Sequence, residues 1–228
     1  KLAAFDVAYL MAFELKEIGI DLNLGPVLDL DYQRNLAIGN RAFHADAKVV
    51  SMLGLAYLKG LVAAGMASVA KHFPGHGFVS QDSHFNLPVD ERSEAAIFEA
   101  DMLPFRQLIN QGLTAIMPSH IIYPAIDSET PNFSQKWLKN ILRKRLGFQG
   151  LIISDDLHMQ AAKSAGNMRA RVFKALQAGC DCILICNDRP GLIRTLKHLS
   201  QQQILDTSGL RAKQAVDPKH AEIIERAK

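Results

Sequence analysis

The chain reads as an α/β protein on a parallel sheet, a TIM-type (β/α)8 barrel, and three observations lead there. Helical and strand patterns alternate along its length. The strands are apolar on both faces, as in sheets buried on both sides. Polar residues collect where the strands end, at Asp29, Lys71, Ser119, Asp155 and Asn187. A sheet with its chemistry at one rim is either a closed barrel or an open doubly wound sheet. The Gly-rich dinucleotide fingerprint of the open sheet is missing from the sequence, which favours the barrel.

Taken in order, apolar side chains at helical spacing (Leu2, Phe5, Tyr9, Leu10, Phe13) predict a helix over residues 1–18 that Gly19 stops. A strand follows at 20–30 (IDLNLGPVLDL), then a helix over 44–64 and a short apolar strand at 66–72. Residues 94–111 read as one helix ending at Gly112, residues 115–121 contain a strand, and 134–146 form a helix closed by Gly147. LIISDD supplies a strand at 151–155, a helix spans 168–178, and CILIC at 182–186 is the last strand before a helical tail. Five strands are legible where a barrel takes eight and about 250 residues. The expectation is one barrel domain over residues 1–228, lacking roughly its first three strands.

Composition narrows the function. With 228 residues and 48% hydrophobic content the chain can bury one substantial core. A net charge of +3, with no dense Lys/Arg block interleaved with aromatics, argues against a nucleic-acid partner. No apolar run approaches the roughly eighteen residues of a membrane span, so a soluble chain is expected. The three cysteines fall together at Cys180, Cys182 and Cys186. On a strand their even spacing puts them on one face, about 6.5–7 Å apart and parallel, which suits free thiols better than a disulfide. A thiolate metal site is the alternative, and buried Cys as a small hydrophobe is the commoner use. Free thiols fit a reducing, cytoplasmic setting.

The chemistry gathers in KHFPGHGFVSQDSH, residues 71–84, a loop at the mouth of a buried strand. Asp82 and His84 are two residues apart, close enough for the carboxylate to orient and charge-stabilise the imidazole. Such an imidazole titrates near neutral pH, as a group that first donates and later accepts a proton should. At the end of the 151–155 strand side chains alternate, so only one of Asp155 and Asp156 can face the mouth, and Asp155 is the better placed. The bland reading of SDD is a helix N-cap cluster. Lys71 and His72 fit sugar hydroxyls or purely structural bonds, and Lys71 at a strand end fits a Schiff-base nucleophile. His72, His76, Asp82 and His84 together fit a divalent metal. His76 suits orienting the loop, and Arg41 suits a hydroxyl or carboxylate at the same mouth or a surface ion pair. His44, His120 and His158 are read as structural.

Taken together, LNLGPVLDLD, IGNRAFHAD, KHFPGHGFVSQDSHFNLPVDER, DMLPF, IMPSHIIYP, LRKRLGFQGLIISDDLHM and AGCDCILICN resemble the family 3 glycoside hydrolases, most closely the bacterial β-N-acetylglucosaminidases of cell-wall recycling. The segments run in order over nearly the whole chain, and KHFPGHG followed by DSH is highly specific. The resemblance implies that Asp155 is the nucleophile, His84 the general acid/base and Asp82 its partner. It implies that Arg41, Lys71 and His72 bind the N-acetylglucosamine ring. It further implies a retaining mechanism without metal or organic cofactor, acting in a cytoplasmic monomer on peptidoglycan-derived sugars. The family's upstream DQEGG-type motif is not in this chain. Two other readings stand beside it: a metal-dependent or Schiff-base barrel enzyme, and a non-catalytic sugar-binding remnant.

Overall fold

The computed structural model describes residues 1–83 and 85–201 of the chain. Among the described residues four strands form one sheet in sequence order: β1 (Leu22–Asn23), β2 (Ala67–Phe73), β3 (Ala115–Pro118) and β4 (Leu151–Ile152). Every neighbour is parallel, with Leu22 opposite Ala67, Val69 opposite Ala115, and Ala115 opposite Leu151. Strands that follow one another round the sheet in a single direction make a barrel wall; a doubly wound sheet reverses its order partway. A bridge from Ile153 to Cys182 carries the wall one step further.

Helices α1 (Leu2–Glu17), α2 (Ala47–Ala63), α3 (Glu94–Glu99), α4 (Met102–Ile109), α5 (Met168–Ala178) and α6 (Arg189–Gln201) lie before, between and after the strands. Asp46 sets where α2 starts, its side chain accepting from the amide of Lys48 at 2.7 Å, so the helix begins three residues later than its apolar pattern suggests. Gly60 lets α2 lie against α1, since a Cβ there would sit 2.3 Å from the carbonyl oxygen of Phe5. The predicted helix over 94–111 is two helices. Asp101 at their junction is turned inward, 1% exposed, to accept from Arg92 at 2.8 Å and Tyr32 at 3.1 Å. Lys136–Arg145 is helical where expected but winds with the wider i→i+5 pattern.

Two predicted strands are shorter than their apolar runs. The first is regular only at Leu22–Asn23, yet the amides of Val69 and Lys71 still donate to the carbonyls of Gly25 and Pro26, at 3.0 Å each. Pro26 has no amide to contribute, which interrupts the ladder. The segment at 182–186 is held alongside β4 by Ser154 donating to Cys182 at 2.8 Å and Leu157 to Leu184 at 3.0 Å, with the one regular bridge at Cys182. The three cysteines at and before this segment do not share one environment: Cys180 is buried, Cys182 half-buried and Cys186 exposed, all as free thiols. The helical tail starts with α6, and the rest of it lies outside the described residues.

The sheet has two apolar faces, as expected. Ala70, Phe73, Ile116 and Ile152 join the large cluster that the helices cover, where Trp137, wholly buried, meets the rings of Phe73 and Tyr123 at 5.8 and 5.3 Å. Val69, Ala115, Met117 and Ile153 form a separate cluster on the opposite face. Continuing that alternation, Lys71 and Asp155 fall on the second face at its rim.

Candidate active site

Three rim segments build the site: the end of β1, the end of β2 with its following loop, and the end of β4. Asp29 anchors the first two. It is fully buried, and its carboxylate accepts from the His72 ring Nδ1 at 2.7 Å, from the His72 amide at 3.1 Å and from the His76 amide at 2.7 Å. Burial pushes the Asp29 carboxyl up, but its electrostatic interaction with His72 and these hydrogen bonds outweigh it and hold the carboxyl below the ordinary range. An ionised carboxylate only accepts, so Nδ1 of His72 carries the proton, and among the described residues no hydrogen bond occupies its Nε2.

His76 is the second fixed group. Its Nδ1 faces the amide nitrogen of Asn35 at 3.0 Å and its Nε2 the hydroxyl of Ser83 at 2.9 Å, which assigns the proton to Nε2. Burial, with His72 adding to it, lowers its pKa, so it sits neutral in the wall. Gly77 wedges the loop base against the chain leaving β1: a Cβ there would fall 1.8 Å from the carbonyl oxygen of Leu30. Just beyond, the Arg92 guanidinium lies 4.0 Å from the centre of the Phe78 ring and that of Arg34 lies 4.8 Å from it. Arg92 also pairs with Asp90 at 2.7 Å and Asp101 at 2.8 Å.

Lys71 is half-buried within electrostatic reach of Arg41, Asp155 and Asp29. Burial, helped by Arg41, draws its pKa down against the pull of the two carboxylates. The peptide bond between Lys71 and His72 is cis. Arg41 is exposed and donates to the carbonyl of Ala37 at 2.9 Å.

At the end of β4 the two neighbouring aspartates part ways. Asp156 accepts through Oδ1 from the amides of His158 and Cys186, both at 2.9 Å, which occupies it structurally. Asp155 is half-buried; its Oδ1 accepts from the amide of Asp156 at 2.8 Å, and among the described residues no hydrogen bond reaches its second oxygen. His120, fully buried nearby, feels the Asp155 charge, and burial favours its neutral form.

Of the residues singled out in the sequence, Lys71, His72, Arg41 and Asp155 are brought to one rim, with Asp29 and His76 beneath them. Asp82 is half-buried in the loop between Phe78 and Phe85. Its neighbour Ser83 is tied down twice, by its hydroxyl to His76 and by its carbonyl to the amide of Ala161 at 3.2 Å. His84 lies outside the described residues. Sequence reasoning missed three supports: Asn35, Ser83 and Asn132. All three are polar residues in loops, where nothing distinguishes a buried bridge from a solvated turn. Among the described residues no group of three or more His, Cys, Asp or Glu is arranged to hold a metal ion.

Comparison with known proteins bears on the whole chain. The profile of the family described as Glycosyl hydrolase family 3 N terminal domain matches residues 2–217. A Beta-hexosaminidase of Nitrosospira multiformis is 50% identical over 185 residues, covering 81% of this chain and 53% of the relative. One from Bordetella parapertussis is 50% identical over 200 residues, covering 88% and 56%. The crystal structure of NagZ from Neisseria gonorrhoeae in complex with N-trifluoroacetyl-D-glucosamine superposes with a TM-score of 0.81 at 44% identity, covering 91% of this chain and 59% of that one. The chain thus spans about half the length of the curated relatives it matches. It belongs to glycosyl hydrolase family 3, whose N-terminal domain is a TIM-like (β/α) barrel, and its sequential parallel sheet is part of such a barrel wall.

Proposed function

We propose that the chain carries the catalytic rim of a retaining exo-β-N-acetylglucosaminidase acting on N-acetylglucosamine-containing peptidoglycan fragments. The observation that carries this reading is Asp155, half-buried at the rim on the face it shares with Lys71, with one carboxylate oxygen left unbonded among the described residues. The names of the half-identical relatives, Beta-hexosaminidase, support the substrate class.

In this mechanism the free oxygen of Asp155 attacks the anomeric carbon while the bond from that carbon to the aglycone oxygen breaks. The His84 imidazolium gives its proton to the departing oxygen. Water then attacks the glycosyl–Asp155 ester, His84 takes the water's proton, and the carboxylate leaves with its electron pair. Asp82 orients His84 and stabilises its charged form. Lys71, His72 and Arg41 bind the ring: the ammonium and guanidinium donate to its oxygens, and His72 presents Nε2 with its tautomer fixed by Asp29. The same reading takes the chain as one incomplete barrel domain of a cytoplasmic monomer.

The test is trapping with a 5-fluoro N-acetylglucosaminyl fluoride followed by peptide mapping. It is run on the chain alone and on the chain completed with the upstream segment of a half-identical relative. Label on Asp155 supports the mechanism; no label in either form, or label elsewhere, overturns it. Label only in the completed form identifies the short chain as a remnant that binds sugar at most.

A second reading has one observation in its favour, the lowered pKa of half-buried Lys71, which is the property an amine nucleophile needs. Borohydride trapping on Lys71 in the presence of a carbonyl substrate would establish it.

A further inference from the structure

We infer that Asn132 is a positioning residue for the nucleophile, aiming Asp155 by fixing its backbone amide; the inference rests on the role of Asp155 proposed above. Asn132 is fully buried in the short turn Pro131–Phe133, between β3 and the helix at Lys136–Arg145. Its side-chain oxygen accepts from the amide of Asp155 at 3.0 Å. Its side-chain nitrogen donates to the carbonyls of Pro118 at 2.9 Å and Ser119 at 3.0 Å, the last residues of β3 and its exit. Both amide hydrogens and the amide oxygen are therefore used, and all three bonds go to the ends of two adjacent strands.

This arrangement answers a question the strands leave open. β4 is regular only through Ile152, so the ladder that holds β3 against β4 has ended before Asp155. Past that point the backbone amide of Asp155 gets its partner from one side chain, and the same side chain is locked to the neighbouring strand. Asn132 replaces the missing rung. A carboxylate that must meet an anomeric carbon in line tolerates little drift, and a displacement of about 1 Å can cost on the order of 100-fold in rate. A capping or packing role alone would not require the amide of the nucleophile to be one of the three partners.

The experiment compares wild type with Asn132→Ala and Asn132→Ser, each in the completed chain, using the fluoro-sugar trap as a titration. Two quantities are read separately: the fraction of molecules labelled at completion, and the rate constant of labelling per titratable site. The inference expects both variants to label nearly all molecules, about 10- to 100-fold more slowly than wild type, with Ser the less impaired and the affinity for N-acetylglucosamine itself changed less than about threefold. Wild-type rate constants in the variants overturn it. So does a reduced fraction of sites whose survivors label at the wild-type rate, or failure of both variants to fold, since each marks a merely structural role. Absence of label on Asp155 in the wild type removes the proposed mechanism first, and this inference with it.

Discussion

The rims of β2 and β4 hold ionisable residues at the same level of one sheet by opposite means. At β2, a buried carboxylate does the holding: Asp29 accepts three hydrogen bonds and fixes both the backbone and one ring of the loop above it. At β4 the holding is done by backbone amides and one neutral amide side chain, and the Asp155 carboxylate stays half-exposed. Under the function proposed above, the contrast would follow from the task. A group that binds a sugar ring needs a fixed direction and tautomer, so it gains from a charged partner. A nucleophile needs an unshared electron pair, so a strong donor on its reactive oxygen would weaken it, and its direction is set through the main chain.

The sharpest way to break this comparison is Asp155→Ala in the completed chain. Turnover is expected to fall by about 10⁴-fold or more, the scale seen when a covalent nucleophile is removed, while the melting temperature barely moves. Asp29→Ala should do the reverse in kind, removing about 3–5 kcal/mol of stability measured by urea unfolding, because it strands the His72 ring and two amides in a buried place. An unchanged urea midpoint would sink the claim that Asp29 organises the rim. Asp156→Ala separates the neighbours: about 1–2 kcal/mol lost through the amides of His158 and Cys186, with activity within tenfold of wild type.

The pH response comes next in size. His76 has a folded pKa below its unfolded value, so only the unfolded chain takes up the proton as pH drops below about 6.5. Stability should therefore decline from pH 6.5 downward, by no more than about 1.4 kcal/mol per unit for this one group. Asp29 repeats the sign lower down, its contribution present above about pH 3.9 and lost as pH falls toward its depressed folded value. Urea midpoints between pH 5 and 7 should be flatter in His76→Gln. At the small end, Lys16→Ala removes an ion pair to Asp21, which is 66% exposed, and should change stability by under about 0.5 kcal/mol.

Much of the fold was legible because its signals are local. Apolar spacing placed α1, α5 and the cores of β2 and β3. The breaks were less legible, because each depends on a partner far away in sequence. Nothing in residues 94–111 reveals that Asp101 turns inward to an arginine and a tyrosine. Strand 20–30 loses regularity at a proline whose consequence depends on the neighbouring strand, and 182–186 is apolar enough to read as a strand while forming one bridge. At the candidate site, residues with reactive side chains stand out in the sequence, and the buried polar residues that bond to their surroundings do not. Asn132, Asn35 and Ser83 differ from ordinary turn residues only in what they meet after folding.

The wedge at Gly77 divides the loop after β2 into two engineering problems. Residues 74–79 press on the main chain beyond β1 and are keyed through His76 and Phe78, so sequences borrowed from other barrels will not seat there without reshaping the wall. Diversity libraries seeking new aglycone tolerance are better confined to residues 80–81 and 85–87, with Asp82, Ser83 and His84 retained, since variation there leaves both the keyed base and the proposed acid/base pair untouched.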